Sequence, residues 1–295
     1  MRCATIGDIA LDVRVRAGEP LARGADARGE VSLSPGGSAA NVAVWLARLG
    51  ATSVCVGSTG RDRAGALVRA DLRREGVRVV GPRRGRTASI AVLLEPSGER
   101  TFVTDRATAL DLRPEDVPAD LWDELTVLHV PAYSLFEGAL ARTSEGMVDE
   151  AHRRGVTVSV DLSSESLLRA YGPESFAALL RRLRPHVLFG NEDEATVFAP
   201  SRRRTALLDA LAGFAPIAVL KCGADGAVLS HDAGTHHQPA PAVRVVDTTG
   251  AGDALAAAFL LERARGTPPA DALRAGVALA SAVVGADGAR PTVQL

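Results

Sequence analysis

Residues 247–260 read DTTGAGDALAAAFL. Three residues with one side-chain carbon or none, Gly250, Ala251 and Gly252, precede a single acid, Asp253, and then an apolar run. A helix that begins here leaves several backbone N–H groups without intrahelical partners, and its macrodipole makes that end partly positive. With no bulky side chain in the way, an anion can approach those groups closely. Asp253 lies in the first turn, where the same field is expected to keep it ionised. An anion cradle with a base beside it is what phosphoryl transfer to a hydroxyl requires. Taken alone, the stretch equally admits a plainer reading, an acid that favours a helix start.

Working outward, apolar runs of strand length alternate with segments of helical period. That rhythm argues for an α/β fold with a central, mostly parallel sheet flanked by helices. Strands are expected at CATIGDI (3–9), TSVCVGS (52–58), VRVV (77–80), TVLHV (126–130), VTVSVDL (156–162), HVLFGN (186–191) and IAVLKCG (217–223). Helices are expected at 39–50 and 62–76, closed by Gly50 and Gly76, at about 144–154, 173–184 and 203–212, and at about 252–265 and 270–285. Two segments, 12–35 and 86–106, break the rhythm with alternating strands where a helix is expected, the second as a hairpin about Pro96-Ser97-Gly98. They are read as insertions that form a small β-sheet lid on one domain spanning 1–295, with a dimer contact as a compatible role.

The 295 residues suffice for a sizeable core, and 46% hydrophobic with 23% charged residues is ordinary for a soluble domain. A net charge of −1 leaves no broad footprint for nucleic acid or anionic lipid. The clusters Arg83-Arg84 and Arg202-Arg203-Arg204 are short and read as solvated loops or helix ends. The longest apolar stretches, 254–261 and 275–286, are too short to span a membrane, and Asp8 and Asp12 interrupt any signal-peptide core. Cys3, Cys55 and Cys222 are widely separated and read as buried thiols in a reducing cytoplasm. Of 34 basic residues only one, Lys221, is a lysine, which invites a reason for it.

Other signatures are absent. With a single lysine followed by Cys222 there is no G-x-x-x-x-G-K-[ST], and no G-x-G-x-x-G opens a helix after the first strand. His236-His237 reads as an exposed loop, and His129, at a strand end, as structural. Near the N-terminus, SPGGSAAN (34–41) sets Gly36-Gly37 just before a helix that carries Asn41. The glycines permit close backbone approach, and the Asn offers donor and acceptor to a hydroxyl.

GGSAAN and DTTGAGD, with NEDEA (191–195) and LKCGADGA (220–227) between them in order, resemble the signatures of the ribokinase-like (PfkB) carbohydrate kinase family. The resemblance covers nearly the whole chain, and both insertions match that family's lid. It implies ATP-dependent phosphorylation of a primary hydroxyl on a small sugar or sugar acid of ribose, ketose or 2-keto-3-deoxygluconate type. Asp253 matches the general base, and the backbone of Gly250, Ala251 and Gly252 matches the anion hole. Asn191 and Glu194 match an N-x-x-E motif that organises Mg2+ and phosphate, largely through water, which suits that hard, hydrated ion.

By the same resemblance, Lys221, Gly223 and Gly226 fall in the segment lining the nucleotide, and Asp12, Gly36, Gly37 and Asn41 match sugar contacts. Asp247 and Thr249, with backbone near Ala286 and Gly288, resemble a monovalent-cation site for K+. One departure stands out: TDRATAL (104–110) places Ala107 where the family often has glycine. Arg106 therefore either clamps an acidic group of the acceptor or is a surface residue of the lid. A nucleoside kinase of the same family is the alternative, weakened by only 4% aromatic residues, with Trp45 spaced as core. A non-catalytic binding protein on the scaffold is disfavoured, because base, anion hole and N-x-x-E are all present. The expected partners are a small-molecule sugar and, since exposed strand edges are normally covered, a second copy through the lid. Nucleic acid and membrane are not expected.

Overall fold

In the computed structural model, residues 1–20, 22, 24–94 and 100–293 are described. The main sheet contains β1 (Arg2–Ile6), β4 (Thr52–Val56), β5 (Arg78–Val80), β8 (Leu125–Pro131), β9 (Thr157–Asp161), β10 (Val187–Asn191), β11 (Ile217–Lys221), β12 (Ala227–His231) and β13 (Gly234–Gln238). Its order is β13-β12-β11-β10-β9-β8-β1-β4-β5, and only β12 and β13 run antiparallel to their neighbours. A second sheet, ordered β3-β2-β6-β7, holds β2 (Ala10–Ala17), β3 (Gly29–Gly36), β6 (Ala88–Leu94) and β7 (Arg100–Asp105). The two insertions meet where β2 pairs parallel with β6. The expected turn at Pro96-Ser97-Gly98 lies outside the described residues, but the strands on either side of it pair antiparallel.

Alternation along the strands builds three layers. Phe189 and Val219 point to one face of the sheet, while Leu188 and Leu220 point to the other. On the first face lie α1 (Ser38–Arg48), α8 (Ala251–Ala264) and α9 (Pro269–Val284), which bury Trp45, Phe259 and Leu273. The small residues of α8 allow α8 and α9 to pack closely. On the opposite face lie α3 (Gly138–Arg153), α5 (Pro173–Leu183) and α7 (Arg204–Ala212), burying Met147, Phe176, Leu180 and Leu207. The remaining helices are α2 (Arg63–Arg74), whose Val68 and Leu72 pack with Val44 of α1, and the short α4 (Glu165–Tyr171) and α6 (Glu192–Ala195). Among the described residues, no helix is long and apolar enough to cross a membrane.

Several expectations change. His236 and His237 belong to β13 rather than a loop, because the β12–β13 hairpin extends the sheet edge. His129 is buried within β8, with Nδ1 against the Ser159 hydroxyl at 2.8 Å. Burial pushes the imidazole down to about 4, so it is neutral. The arginine clusters are tied as well as solvated: Arg84 pairs with Asp116 at 2.6 Å, Arg202 with Asp193, and Arg204 with Glu192 and Asp225. As expected, all three cysteines are buried and form no disulfide.

Candidate active site

Ligands of open α/β sheets bind beyond the carboxyl ends of the strands. At those ends stand Asp161 of β9, Asn191 of β10 and Lys221 of β11, with Asp161 and Lys221 near Asp253 at the start of α8. Gly250 caps that helix with φ 77°, a left-handed conformation, and a Cβ there would lie 2.6 Å from the Ala289 carbonyl oxygen. Only a glycine fits that close approach. The intrahelical ladder reaches Ala254, whose N–H donates to Gly250 O at 2.9 Å, and before it Ala251 N makes a long turn bond to Thr248 O at 3.4 Å, so the open end of the helix lies about Gly250–Asp253.

Asp253 is fixed by two donors from α1. Ser38 Oγ donates to Oδ1 at 2.7 Å and Asn41 Nδ2 to Oδ2 at 2.8 Å. The helix field is expected to keep this acid ionised; burial pushes it up to about 6, which still leaves it mostly ionised at neutral pH. The bonds from Ser38 and Asn41 pull it back down, while nearby Asp161 raises it and Lys221 lowers it. A carboxyl that titrates near the operating pH is suited to accepting a proton.

Gly37, with φ 94°, precedes α1, and a Cβ on it would meet Asp8 O at 2.2 Å. Gly36 packs against the Asp12 carboxyl. Burial pushes Asp12 up to about 6, against the pull of Arg290 and Arg14, and its buried Oδ1 has no hydrogen-bond partner among the described residues. An acceptor left in this way calls for a hydroxyl donor. Asn41, expected to contact the sugar, holds Asp253 and accepts from Arg290 Nε at 2.7 Å.

Arg106 is neither a surface residue nor a free clamp. Its side chain is 12% exposed and paired with Asp8 at 2.8 Å, with Glu137 at 3.5 Å. Ala107 takes φ 40°, so alanine here keeps the left-handed backbone that glycine favours.

Lys221 Nζ donates to both oxygens of Asp161, at 2.9 and 2.8 Å. It lies 3.3 Å from the point that a Cβ on Gly252 would occupy, directly behind the start of α8. Burial opposes the ammonium charge, but Asp161 and Glu194 outweigh it and hold its pKa above the ordinary value. Asn191 and Glu194 form a reciprocal cap: Glu194 N donates to Asn191 Oδ1 at 2.8 Å, and Asn191 N and Nδ2 donate to the Glu194 carboxylate at 2.8 and 2.9 Å. Burial pushes the Glu194 carboxyl up. Gly223 opens a single 3-10 turn, Gly223–Asp225, and Cys222 N donates to Gly226 O at 2.8 Å.

Asp247 and Thr249 do come together, with Thr249 N and Oγ1 donating to Asp247 Oδ1 at 2.9 and 2.7 Å. Two arginines that the motifs do not mark enter the site. Arg14 of β2 donates to Asp247 Oδ2 at 2.9 Å. Arg290, 8% exposed, reaches Asn41, Asp71 and the Gly36 carbonyl. Ser38 and Asp161 are the other additions, and Ser38 was legible as the middle of GGSAAN.

Residues 2–294 match the model of the pfkB family carbohydrate kinases. The chain belongs to that family. As a pfkB family carbohydrate kinase it is 31% identical to an ATP-dependent ribose-1-phosphate kinase of Halopiger xanaduensis, over 98% of this chain and 94% of that protein. It is 33% identical to a fructokinase of Klebsiella pneumoniae, over 80% of this chain and 78% of that one. Among solved structures, the adenosine kinase of Sinorhizobium meliloti superposes with a TM-score of 0.89 at 26% identity, covering 99% of this chain and 96% of that one. The pfkB kinase described here is thus an enzyme that phosphorylates a sugar or nucleoside.

Proposed function

We propose that the protein transfers the γ-phosphoryl group of ATP to a primary hydroxyl of a small sugar, with Asp253 as the general base. The observation that carries this reading is the Asp253 carboxylate, held by Ser38 and Asn41 at the start of α8, with Lys221 behind the same helix end. The acceptor hydroxyl gives its proton to Asp253 as its oxygen bonds to the γ-phosphorus and the bond to ADP breaks. Backbone N–H groups at Gly250, Ala251 and Gly252, with the Lys221 ammonium, receive the charge of the transferred group. The lid sheet excludes water, which would otherwise compete as acceptor.

Among the described residues no group of three or more His, Cys, Asp or Glu side chains could hold a metal ion by itself. That suits Mg2+ arriving with the nucleotide, since this ion keeps several waters and needs only one or two carboxylates. When bound it would neutralise phosphate charge; Glu194 and Asn191, locked to one another, are the residues that would hold it, largely through water.

The unpartnered Asp12 Oδ1 favours an acceptor that donates hydroxyls, and the Asp8–Arg106 pair removes the free cation that an acidic acceptor would seek. Ribose-type and ketose sugars therefore stand ahead of acids such as 2-keto-3-deoxygluconate. A nucleoside is the second reading, favoured by the likeness to the adenosine kinase. The lid's outer strands expose Val31, Leu33, Phe102 and Val103, which supports pairing with a second copy, measurable by light scattering. The kinase would act in the cytoplasm, where its ATP is.

A panel of sugars, sugar acids, sugar phosphates and nucleosides, scored by ADP release with Mg2+, tests the reaction and ranks the acceptors. Asp253→Asn is expected to keep fold and ATP binding while turnover falls by several orders of magnitude. Near-normal phosphorylation by that variant would remove Asp253 from the role of base.

A further inference from the structure

The resemblance to the family suggests a monovalent cation at Asp247 and Thr249, but the residues present do not fit one. Asp247 Oδ1 accepts from Thr249 N and Oγ1, and Oδ2 accepts from Gly288 N at 3.1 Å and from Arg14 Nη2 at 2.9 Å. The same guanidinium binds Asp287, with Nη2 to Oδ1 at 3.0 Å and Nη1 to Oδ2 at 3.2 Å. We propose that Arg14 is the resident cation of this site, so that phosphoryl transfer by this enzyme does not depend on K+.

The placement carries the argument. Asp247 begins the loop that leads through Thr249 to Gly250, while Asp287 and Gly288 belong to the segment whose Ala289 packs against Gly250. One planar fork therefore ties together the two stretches of backbone that set the start of α8. Asp247 is 2% exposed, and a carboxylate so buried needs a positive partner. A guanidinium reaching two carboxylates at once does with fixed geometry what a dissolved ion would do by mass action. Arg14 also lies two residues beyond Asp12 on β2, so both project from the same face of that lid strand. The strand that offers Asp12 to the acceptor thus also positions the phosphate cradle.

This inference rests on the anion-hole reading above, and the test separates the two. Initial rates of the full chain, wild type and Arg14→Ala, are compared in potassium, sodium and choline chloride at equal ionic strength. Wild type is expected to turn over equally in all three. Arg14→Ala is expected to lose about tenfold or more in choline, the worth of a charged hydrogen bond. K+ or added guanidinium should restore much of that rate. Thermal melting gives a readout without turnover: K+ should raise the Tm of Arg14→Ala and leave wild type unmoved. Should Arg14→Ala fail to fold, Arg14→Gln keeps a donor and most of the stem while removing the charge. K+ activation of wild type, a variant as fast as wild type without K+, or a loss that no cation restores would each overturn the proposal. Absence of ADP release by wild type in every salt would instead fail the kinase reading, with the melting comparison still deciding the role of Arg14.

Discussion

Ser38→Ala tests the base through its protonation rather than its presence. Ser38 Oγ donates to Asp253 Oδ1 at 2.7 Å, and that bond works against the burial that lifts the carboxyl to about 6. A hydrogen bond to a charged group contributes about 1.5–3 kcal/mol, and partial replacement by water at this half-buried serine favours the lower end. At about 1.4 kcal/mol per pK unit, its loss should move Asp253 upward by about one unit. The acid limb of kcat/KM should then shift from about 6 to roughly 7, because the base works only when ionised. Near pH 6 the ionised share falls from roughly one half to roughly one tenth, a loss of about fivefold, and the two profiles converge well above pH 8. The assay is ADP release at low acceptor concentration across pH. Asp12 is also raised to about 6 and Glu194 is raised too, but neither touches Ser38, so the displacement between the profiles isolates Asp253. An unmoved limb, or an equal loss at every pH, would refute the reasoning and leave Ser38 a spacer.

Two further outcomes concern stability and are read by urea unfolding. Ala107 sits at φ 40°, where a Cβ costs roughly 1–2 kcal/mol. Ala107→Gly relieves that strain but frees the unfolded chain by about 0.4–1 kcal/mol, so a net gain of roughly half to one kcal/mol is expected. A clear loss would mean that the alanine methyl carries packing worth more than the strain. Lys221→Met removes one partner of a buried pair and strands Asp161, which should cost about 3 kcal/mol. Adding Asp161→Asn should recover part of that loss, and additive effects would contradict the pairing.

Most of the sheet was legible because its signals are local. Strand-length apolar runs fall within two residues of β4 and β8 to β11 and within three of β1, and the helix-period segments match α1, α2, α8 and α9. The motif glycines and acids likewise identify the carboxyl edge of the sheet. What escaped depends on distance or burial. The β12–β13 hairpin is short, with polar residues such as His231, Asp232 and His236, so period-2 alternation is faint. Arg14 meets Asp247 across 233 positions and Arg290 meets Asn41 across 249, and nothing marks either among 33 arginines. The raised proton affinity of Asp253 escaped for the same reason: the helix field is visible in the local sequence, whereas the desolvation that lifts the carboxyl comes from tertiary burial.

The lone lysine finds its reason in the same contrast. Arg14 and Arg106 hold carboxylates with planar forks whose geometry suits fixed bidentate pairing. Position 221 demands something else. The space between Asp161 and the bare backbone of Gly252 admits a group whose nitrogen stands 2.8–2.9 Å from two oxygens and 3.3 Å from a missing Cβ. A compact ammonium meets that demand and carries three N–H bonds, of which Asp161 takes two. On the proposed reaction the third would go to a phosphate oxygen at the start of α8. A guanidinium there would extend into the space that the glycine keeps open, crowding the cradle it was meant to charge. On the proposed reaction, the chain's single lysine stands where a point charge would be shared between a fixed carboxylate and the transferred group.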